Sequence, residues 1–212
     1  EQAQQQANEF IASLSEDVQQ IVSASMQKLL ASEIEKDAKK IGDQAPDFLL
    51  PNVRGGPKSL PDYLNEGPVV LSFYRGGWCP YCNLEFRALQ TRLPEFKALG
   101  ATLIGISPET PDVSLTTVEK NNLEFEVLSD VGNQVIKEYG LLGVVDEKMR
   151  PLYLEWGIDV PAANGDGKYE LPIPATYVID RQGIIRASHV DKNYINRMDP
   201  GDIVEALQAI QV

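Results

Sequence analysis

Apolar positions in the first 40 residues recur every three to four places: Phe10, Ile11, Leu14, Val18, Ile21, Val22, Leu29 and Ile34. That is the period of a helix with one apolar face. Residues 1–40 are therefore predicted to form an N-terminal helical extension. Ser13 followed by Glu16 has the form of a capping box, so one helix is expected to stop there and a second to begin. The stripe can lie on the rest of the chain or against a second copy, because periodicity does not name the partner face. Residues 42–64 are punctuated by Pro and Gly, with an extended piece at 47–50. Residues 69–74 are β-branched and aromatic and predict a strand. Arg75-Gly76-Gly77-Trp78 predicts a turn. A helix over 82–99 should follow, with Leu84, Leu89, Leu93 and Phe96 inward, a kink at Pro94 and an end at Gly100. A strand at 101–106, a helix at 112–121, a strand at 125–128 and a helix capped by Asp130 and reaching Tyr139 come next.

Residues 141–172 show no sustained period, apart from one short helix near 147–156, and read as an insertion over one end of a sheet. Residues 175–180 and 184–188, joined at Gln182-Gly183, predict a hairpin. Asp199-Pro200 opens a last helix with Ile203, Leu207 and Ile210 on one face. Strands alternating with helices, then a hairpin and a helix, give an α/β domain over 41–212 behind the extension.

Charge narrows the partners. Asp and Glu number 31 against 19 Lys and Arg, a net charge of −12. That balance repels phosphate backbones and anionic lipid, so neither nucleic acid nor membrane is expected as a partner. No apolar run approaches the length that crosses a bilayer. The polar, Gln-rich N-terminus lacks a signal-peptide pattern. The 2 cysteines, Cys79 and Cys82, close almost no loop, so their value is chemical rather than structural. A reducing, cytoplasmic compartment is the expectation.

Cys79-Pro80-Tyr81-Cys82 follows a predicted strand and opens a predicted helix. Unpaired N–H groups and the positive end of the helix dipole then face the first thiol and favour thiolate. A free cysteine titrates near 8.5, whereas Cys-x-x-Cys sites at helix starts fall to about 3.5–7.5. Pro80 fits the first helical turn without wasting a donor. Arg75 adds positive charge, and Gly76 and Gly77 leave the approach open. One thiolate would attack an oxidised substrate, and the other cysteine would resolve the product into a Cys79–Cys82 disulfide. Zinc needs about four ligands, and 2 Cys with a distant His189 do not supply them, so no metal is expected.

The segments 42–48, 73–82, 105–107, 128–130, 139–140 and 177–180 with Gly183 together resemble the peroxiredoxin-like branch of the AhpC/TSA family (alkyl hydroperoxide reductase and thiol-specific antioxidant), within the thioredoxin-like superfamily. The resemblance, over about 41–212, implies a thioredoxin-like fold, a central mixed β-sheet flanked by helices. It also implies thiol-dependent reduction of hydrogen peroxide or organic hydroperoxides. No cofactor is implied beyond an external thiol reductant such as thioredoxin or glutathione. The pattern departs from the family at the site. Aligning Phe73-Tyr74 puts the family's attacking cysteine on Cys82, with Glu85 as the acidic residue that follows it. The family's Thr/Ser position falls on Cys79 and its Pro position on Arg75. The family's catalytic arginine falls on Pro174. A lost charged donor of that kind costs about 3 kcal/mol of transition-state stabilisation. Trp78 before Cys79 and Pro174 facing the dithiol look instead like thioredoxin, where that proline is cis. In that reading Cys79 attacks as the more exposed sulfur, and the activity becomes dithiol–disulfide reduction of protein or small-molecule disulfides. Tyr81 and Trp78 either shape a substrate surface or shield the sulfurs. Arg186 and Arg197 are candidates for replacing the missing arginine, although a solvated surface role is the stronger expectation for both, and His189 is expected in a local polar contact near Asp191. The N-terminal helices make a homodimer plausible.

Overall fold

The computed structural model describes residues 2–210. Helices α1 (Gln2–Ala12) and α2 (Glu16–Ala31) form the extension. The break falls where the Ser13–Glu16 pattern puts it, but through different bonds. The Ser13 hydroxyl donates to the Phe10 carbonyl at 2.6 Å and closes α1, while Ser15 stands at the N-cap of α2. The apolar stripe is used within the chain. Val22 is buried with Val145, Met149, Leu152 and Tyr153, and the Phe10 ring meets Trp156 edge-on at 5.2 Å.

Strands β1 (Leu49–Pro51) and β2 (Pro57–Ser59) pair antiparallel and lead into α3 (Leu60–Glu66), which a capping box between Ser59 and Asp62 opens. The body follows: β3 (Val69–Phe73), α4 (Pro80–Ala98), β4 (Thr102–Ser107), α5 (Pro111–Asn121), β5 (Glu126–Ser129) and α6 (Gln134–Glu138). Then come β6 (Leu142–Val144), α7 (Met149–Glu155), α8 (Val160–Asn164) and β7 (Glu170–Pro172). Strands β8 (Ala175–Ile179) and β9 (Ile185–Val190) and helix α9 (Pro200–Ile210) complete the chain.

The central sheet has 5 strands in the order β5-β4-β3-β8-β9. β3, β4 and β5 run parallel, which their helical crossovers α4 and α5 permit, and β8 and β9 are antiparallel. Strand alternation sorts the core onto two faces. Val69, Leu71 and Phe73 pack with Ile136, Tyr139 and Tyr177. Val70 and Tyr74 pack with Phe86, Leu89 and Phe96 of α4 and Ile203 and Leu207 of α9.

Two expectations change here. Helix α4 begins at Pro80, two residues early, and its buried stripe is Cys82, Phe86, Leu89, Leu93 and Phe96. Leu84 is only half-buried, because the register that points Phe86 at the sheet turns Leu84 off it. Residues 141–172 are ordered as a hairpin, β6 with β7, enclosing α7 and α8. Helix α7 falls within the short helix expected near 147–156, whereas strands of 3 residues and a helix of 5 are too short to print a period. No helix among the described residues is long and apolar enough to cross a membrane.

Candidate active site

Central strand β3 ends at Phe73 and α4 starts at Pro80, so residues 74–79 form the loop at the carboxyl edge of the parallel strands. Cys79 is the N-cap of α4, with extended backbone and Pro80 in the first turn. The Cys82 thiol donates to Cys79 Sγ at 2.9 Å, and both cysteines are free thiols. Both are buried, Cys79 at 0% and Cys82 at 1% exposure. The expectation that Cys79 is the more exposed sulfur therefore fails. The partly buried rings of Trp78 and Tyr81 pack against the cluster that holds both sulfurs, and the Tyr81 and Tyr194 rings face each other at 6.1 Å.

Burial alone would push the Cys79 thiol up. The hydrogen bond from Cys82 and the charges of Arg75 and Arg197 outweigh it and bring Cys79 down to about 6. Cys82 moves the other way. Burial, its donated hydrogen bond and the charge on Cys79 hold it well above the usual thiol range. The pair is thus divided into one sulfur that ionises readily and one that keeps its proton.

Arg75 is buried, donates Nη2 to the Tyr153 hydroxyl at 2.7 Å, and lies over the rings of Tyr194 (4.2 Å) and Trp78 (5.1 Å). Among the described residues it has no carboxylate partner. Arg197 overturns the surface expectation. Its side chain is 11% exposed, it donates Nε to Glu85 Oε2 at 2.7 Å, and its Nη2 reaches Cys82 Sγ at 3.5 Å. Carbonyls of Tyr194 and Asn196 take further N–H groups and hold the guanidinium in place. Burial raises Glu85 to about 7 despite Arg197 beside it. Arg186 does stand at the surface, paired with Asp180. His189 is half-buried on β9, and burial lowers its pKa against the pull of Asp191.

The loop is clamped from below. Gly77 donates its N–H to both oxygens of Glu109 at 3.0 Å, and its carbonyl accepts from Asn83 Nδ2 at 2.8 Å. A Cβ at Gly77 would lie 1.9 Å from Thr117 Oγ1, so only glycine fits. Glu109 is fully buried, and burial raises it to about 7 against the opposing Gly77 N–H. Sequence reasoning missed Glu109, Tyr153 and Tyr194. An acid just past the carboxyl end of a central parallel strand is a signal that finds the first of them.

Pro174 is buried between β7 and β8 and lines a cleft together with Arg75, Tyr153 and Tyr194. No peptide bond among the described residues is cis, so the cis-proline expectation is corrected. The chain instead stays extended from Ile173, whose N–H bonds Leu141 O at 2.7 Å, into β8. Among the described residues no group of three or more His, Cys, Asp and Glu side chains gathers to hold a metal.

The sequence profile of the AhpC/TSA family matches residues 41–188, which carry the dithiol loop and the whole central sheet apart from the end of β9. The chain belongs to the AhpC/TSA family. This AhpC/TSA protein is 30% identical to Peroxiredoxin Q, chloroplastic, of Sedum lineare over 171 residues, 80% of this chain and 77% of that protein. It is 30% identical to Thiol-disulfide oxidoreductase ResA of Bacillus cereus (strain ATCC 10987 / NRS 248) over 108 residues, 50% of this chain and 61% of that one. Against relatives of the Bcp and ResA type, the chain spans 61 to 66% of their own length. The crystal structure of peroxidoxin BcpB from Mycobacterium tuberculosis superposes with a TM-score of 0.64 at 24% identity, covering 82% of this chain and 99% of that one. The AhpC/TSA protein thus has the thioredoxin-like fold. Helices α1 and α2 lie outside the matched segment.

Proposed function

We propose that this protein is a thiol peroxidase that reduces hydrogen peroxide or small organic hydroperoxides, with Cys79 attacking and Cys82 resolving. One observation carries the reading: the buried dithiol lies in the field of two guanidinium groups, the buried Arg75 and the mostly buried Arg197, which reaches Cys82 Sγ at 3.5 Å. A buried sulfur is reached by a small oxidant more readily than by a protein disulfide. The guanidinium groups supply the charged donors that a breaking O–O bond needs. Arg197 in this reading does the work of the arginine that Pro174 displaces.

The Cys79 thiolate attacks one peroxide oxygen, the O–O bond breaks, and the leaving alkoxide takes a proton. Cys79 becomes a sulfenic acid, and the leaving oxygen departs as water from hydrogen peroxide or as an alcohol from an organic hydroperoxide. Cys82 then gives up its proton and attacks the Cys79 sulfur, forming the disulfide and releasing water. Glu85, tied through Arg197 to Cys82 and raised to about 7 by burial, is the carboxyl proposed to exchange these protons. Two electrons from an external thiol reductant, one thioredoxin dithiol or two glutathione thiols in a reducing, cytoplasmic setting, restore the site. Trp78, Pro80 and Tyr81 shape the cover over the sulfurs, while Gly77 holds the loop. Stopped-flow oxidation of the reduced protein tests the reading. A rate far above that of free cysteine thiolate, abolished in Cys79→Ser but retained for the first step in Cys82→Ser, is expected. A rate no better than free thiolate overturns it.

The similarity to ResA favours one second reading, a dithiol–disulfide reductase, and insulin-disulfide reduction checks it. A homodimer through the N-terminal helices is a further proposal, supported by Phe10 and Leu30 remaining 43% and 42% exposed. Sedimentation of Leu30→Glu against the native chain checks it.

A further inference from the structure

Two rows of residues cross the sheet on the face covered by α4 and α9. One is apolar: Val70 of β3, Val178 of β8 and Ala187 of β9 pair across the strands and join the cluster of Phe86, Ile203 and Leu207. The next is polar. Ser72 of β3 pairs with Thr176 of β8, and Thr176 with His189 of β9, the edge strand. Opposed residues of antiparallel strands share a face, with Cβ atoms about 4.5–5.5 Å apart. The row thus runs from the buried Ser72 and Thr176 to the half-buried His189. Thr176 Oγ1 bonds Glu85 Oε1 at 3.4 Å, and Arg197 joins Glu85 to Cys82. On either side of Thr176, Ser72 Oγ and His189 Nε2 have no hydrogen-bond partner among the described residues. Unpartnered buried polar atoms cost stability, and a second apolar row would seat α4 better, so packing does not account for this one. His189 faces Asp191 beyond β9, Arg197 and the Asn196 backbone ahead of α9, Asp202 on α9, and Thr176 across on β8 with Glu85 of α4 behind it. Burial lowers its pKa, so near neutral pH the ring is uncharged, with one nitrogen to give a proton and one to take it.

We propose that Thr176 and His189 carry protons between Glu85 and solvent at the edge of the sheet. The inference rests on the peroxidase reading above, with Glu85 as its proton-exchanging carboxyl. The Glu85 side chain is only 5% exposed, so it has little contact with water of its own. The balance of the reaction requires a path. The Cys79 thiolate takes one peroxide oxygen, and the leaving oxygen takes one proton. When Cys82 attacks the sulfenic acid, its thiol proton leaves with the hydroxyl as water. Each oxidation therefore draws one proton into a buried site. Reduction by an external dithiol brings two protons, keeps one on Cys82 and returns the other to solvent as Cys79 is freed as thiolate. The Thr176 hydroxyl both donates and accepts, so it can pass a proton either way between carboxyl and imidazole. His189 does not touch the reacting sulfurs and acts through Glu85.

The test asks whether a free base can stand in for His189. His189→Gln removes the outer member of the path, and Thr176→Val removes the inner hydroxyl at similar size. Stopped-flow oxidation of the reduced full chain by hydrogen peroxide near neutral pH should slow about tenfold in each variant. That is less than the roughly hundredfold that a direct proton donor is worth, because both residues act through Glu85. Imidazole at rising concentration should restore His189→Gln and leave Thr176→Val and the native chain unchanged. Reduction of the Cys79–Cys82 disulfide by dithiothreitol needs no peroxide, and its rate should show the same pattern as Cys82 takes up its proton. A native rate in His189→Gln, a slow rate that imidazole does not restore, or equal restoration of Thr176→Val overturns the inference. The same pattern under dithiothreitol, in a chain whose native form is oxidised by peroxide no faster than free thiolate, keeps the proton path and overturns the peroxidase reading.

Discussion

Glu109 sits fully buried with the Gly77 N–H as its partner, and its carboxyl titrates near 7 instead of the usual 4.5. A raised carboxyl binds its proton more tightly in the folded than in the unfolded chain. Its contribution to stability is therefore complete below about 4.5 and is lost as the pH rises through 7. Glu109→Gln keeps an acceptor for Gly77 but cannot ionise. Urea midpoints should match the native protein near pH 5 and exceed it at pH 8; an equal difference at both values refutes the assignment. Cys79 has the opposite sign, since its lowered thiol contributes stability above the ordinary thiol range that is lost as pH falls through about 6. Comparing variant with native chain at each pH removes that contribution. Arg197 can be read in the same way. Arg197→Gln removes a donor from Cys82 and a charge from beside Cys79. Peroxide reduction should fall about a hundredfold, and the midpoint of Cys79 alkylation against pH should move up. An unchanged midpoint would mean that Arg197 only braces Glu85.

At the scale of elements, α4 is the part on which the site depends, because one helix supplies the N-cap cysteine, the second cysteine and Glu85. It is seated by Phe86, whose ring packs against Tyr74 at 4.5 Å and edge-on to Phe125 at 5.2 Å. Gly105 of β4 makes room, since a Cβ there would lie 2.8 Å from the Phe86 ring. Phe86→Ala should cost about 3–5 kcal/mol in urea unfolding and loosen the dithiol with it. A loss under 1 kcal/mol would show that the neighbours close the gap. Helix α4 was readable in the chain because its apolar stripe meets one core, and β3 because a β-branched and aromatic run is buried on both faces. Of the β6–α7–α8–β7 insertion only α7, inside the helix expected near 147–156, was readable, since the other pieces are short and held by tertiary contacts. Leu84 was misassigned inward for a related reason: several apolar stripes can be drawn on α4, and only the position of the sheet selects one.

Across the whole molecule, the extension and the insertion share an apolar cluster that is separate from the two faces of the sheet. That separation predicts a distinct cooperative unit. Val22→Asp, which puts a carboxylate among Met149, Leu152 and Tyr153, should strip hydrogen-exchange protection from α1 and α2 while β3, β4 and β8 keep theirs. Loss of protection throughout would show that the extension and the sheet unfold together. The amino-acid sequence by itself determined the β-branched and aromatic runs that build the sheet, the helix that follows β3, and the dithiol at that helix's start, because these depend on residues a few positions apart. Tertiary structure alone decided that both sulfurs are buried, that Pro174 is trans, and that Glu109 lies under the loop. It also brought Arg197 to Cys82 across 115 positions of chain. A guanidinium carries no local mark of which sulfur it will face. Its partner is chosen when α9 and the segment before it close over α4, a packing event that no short window of sequence contains.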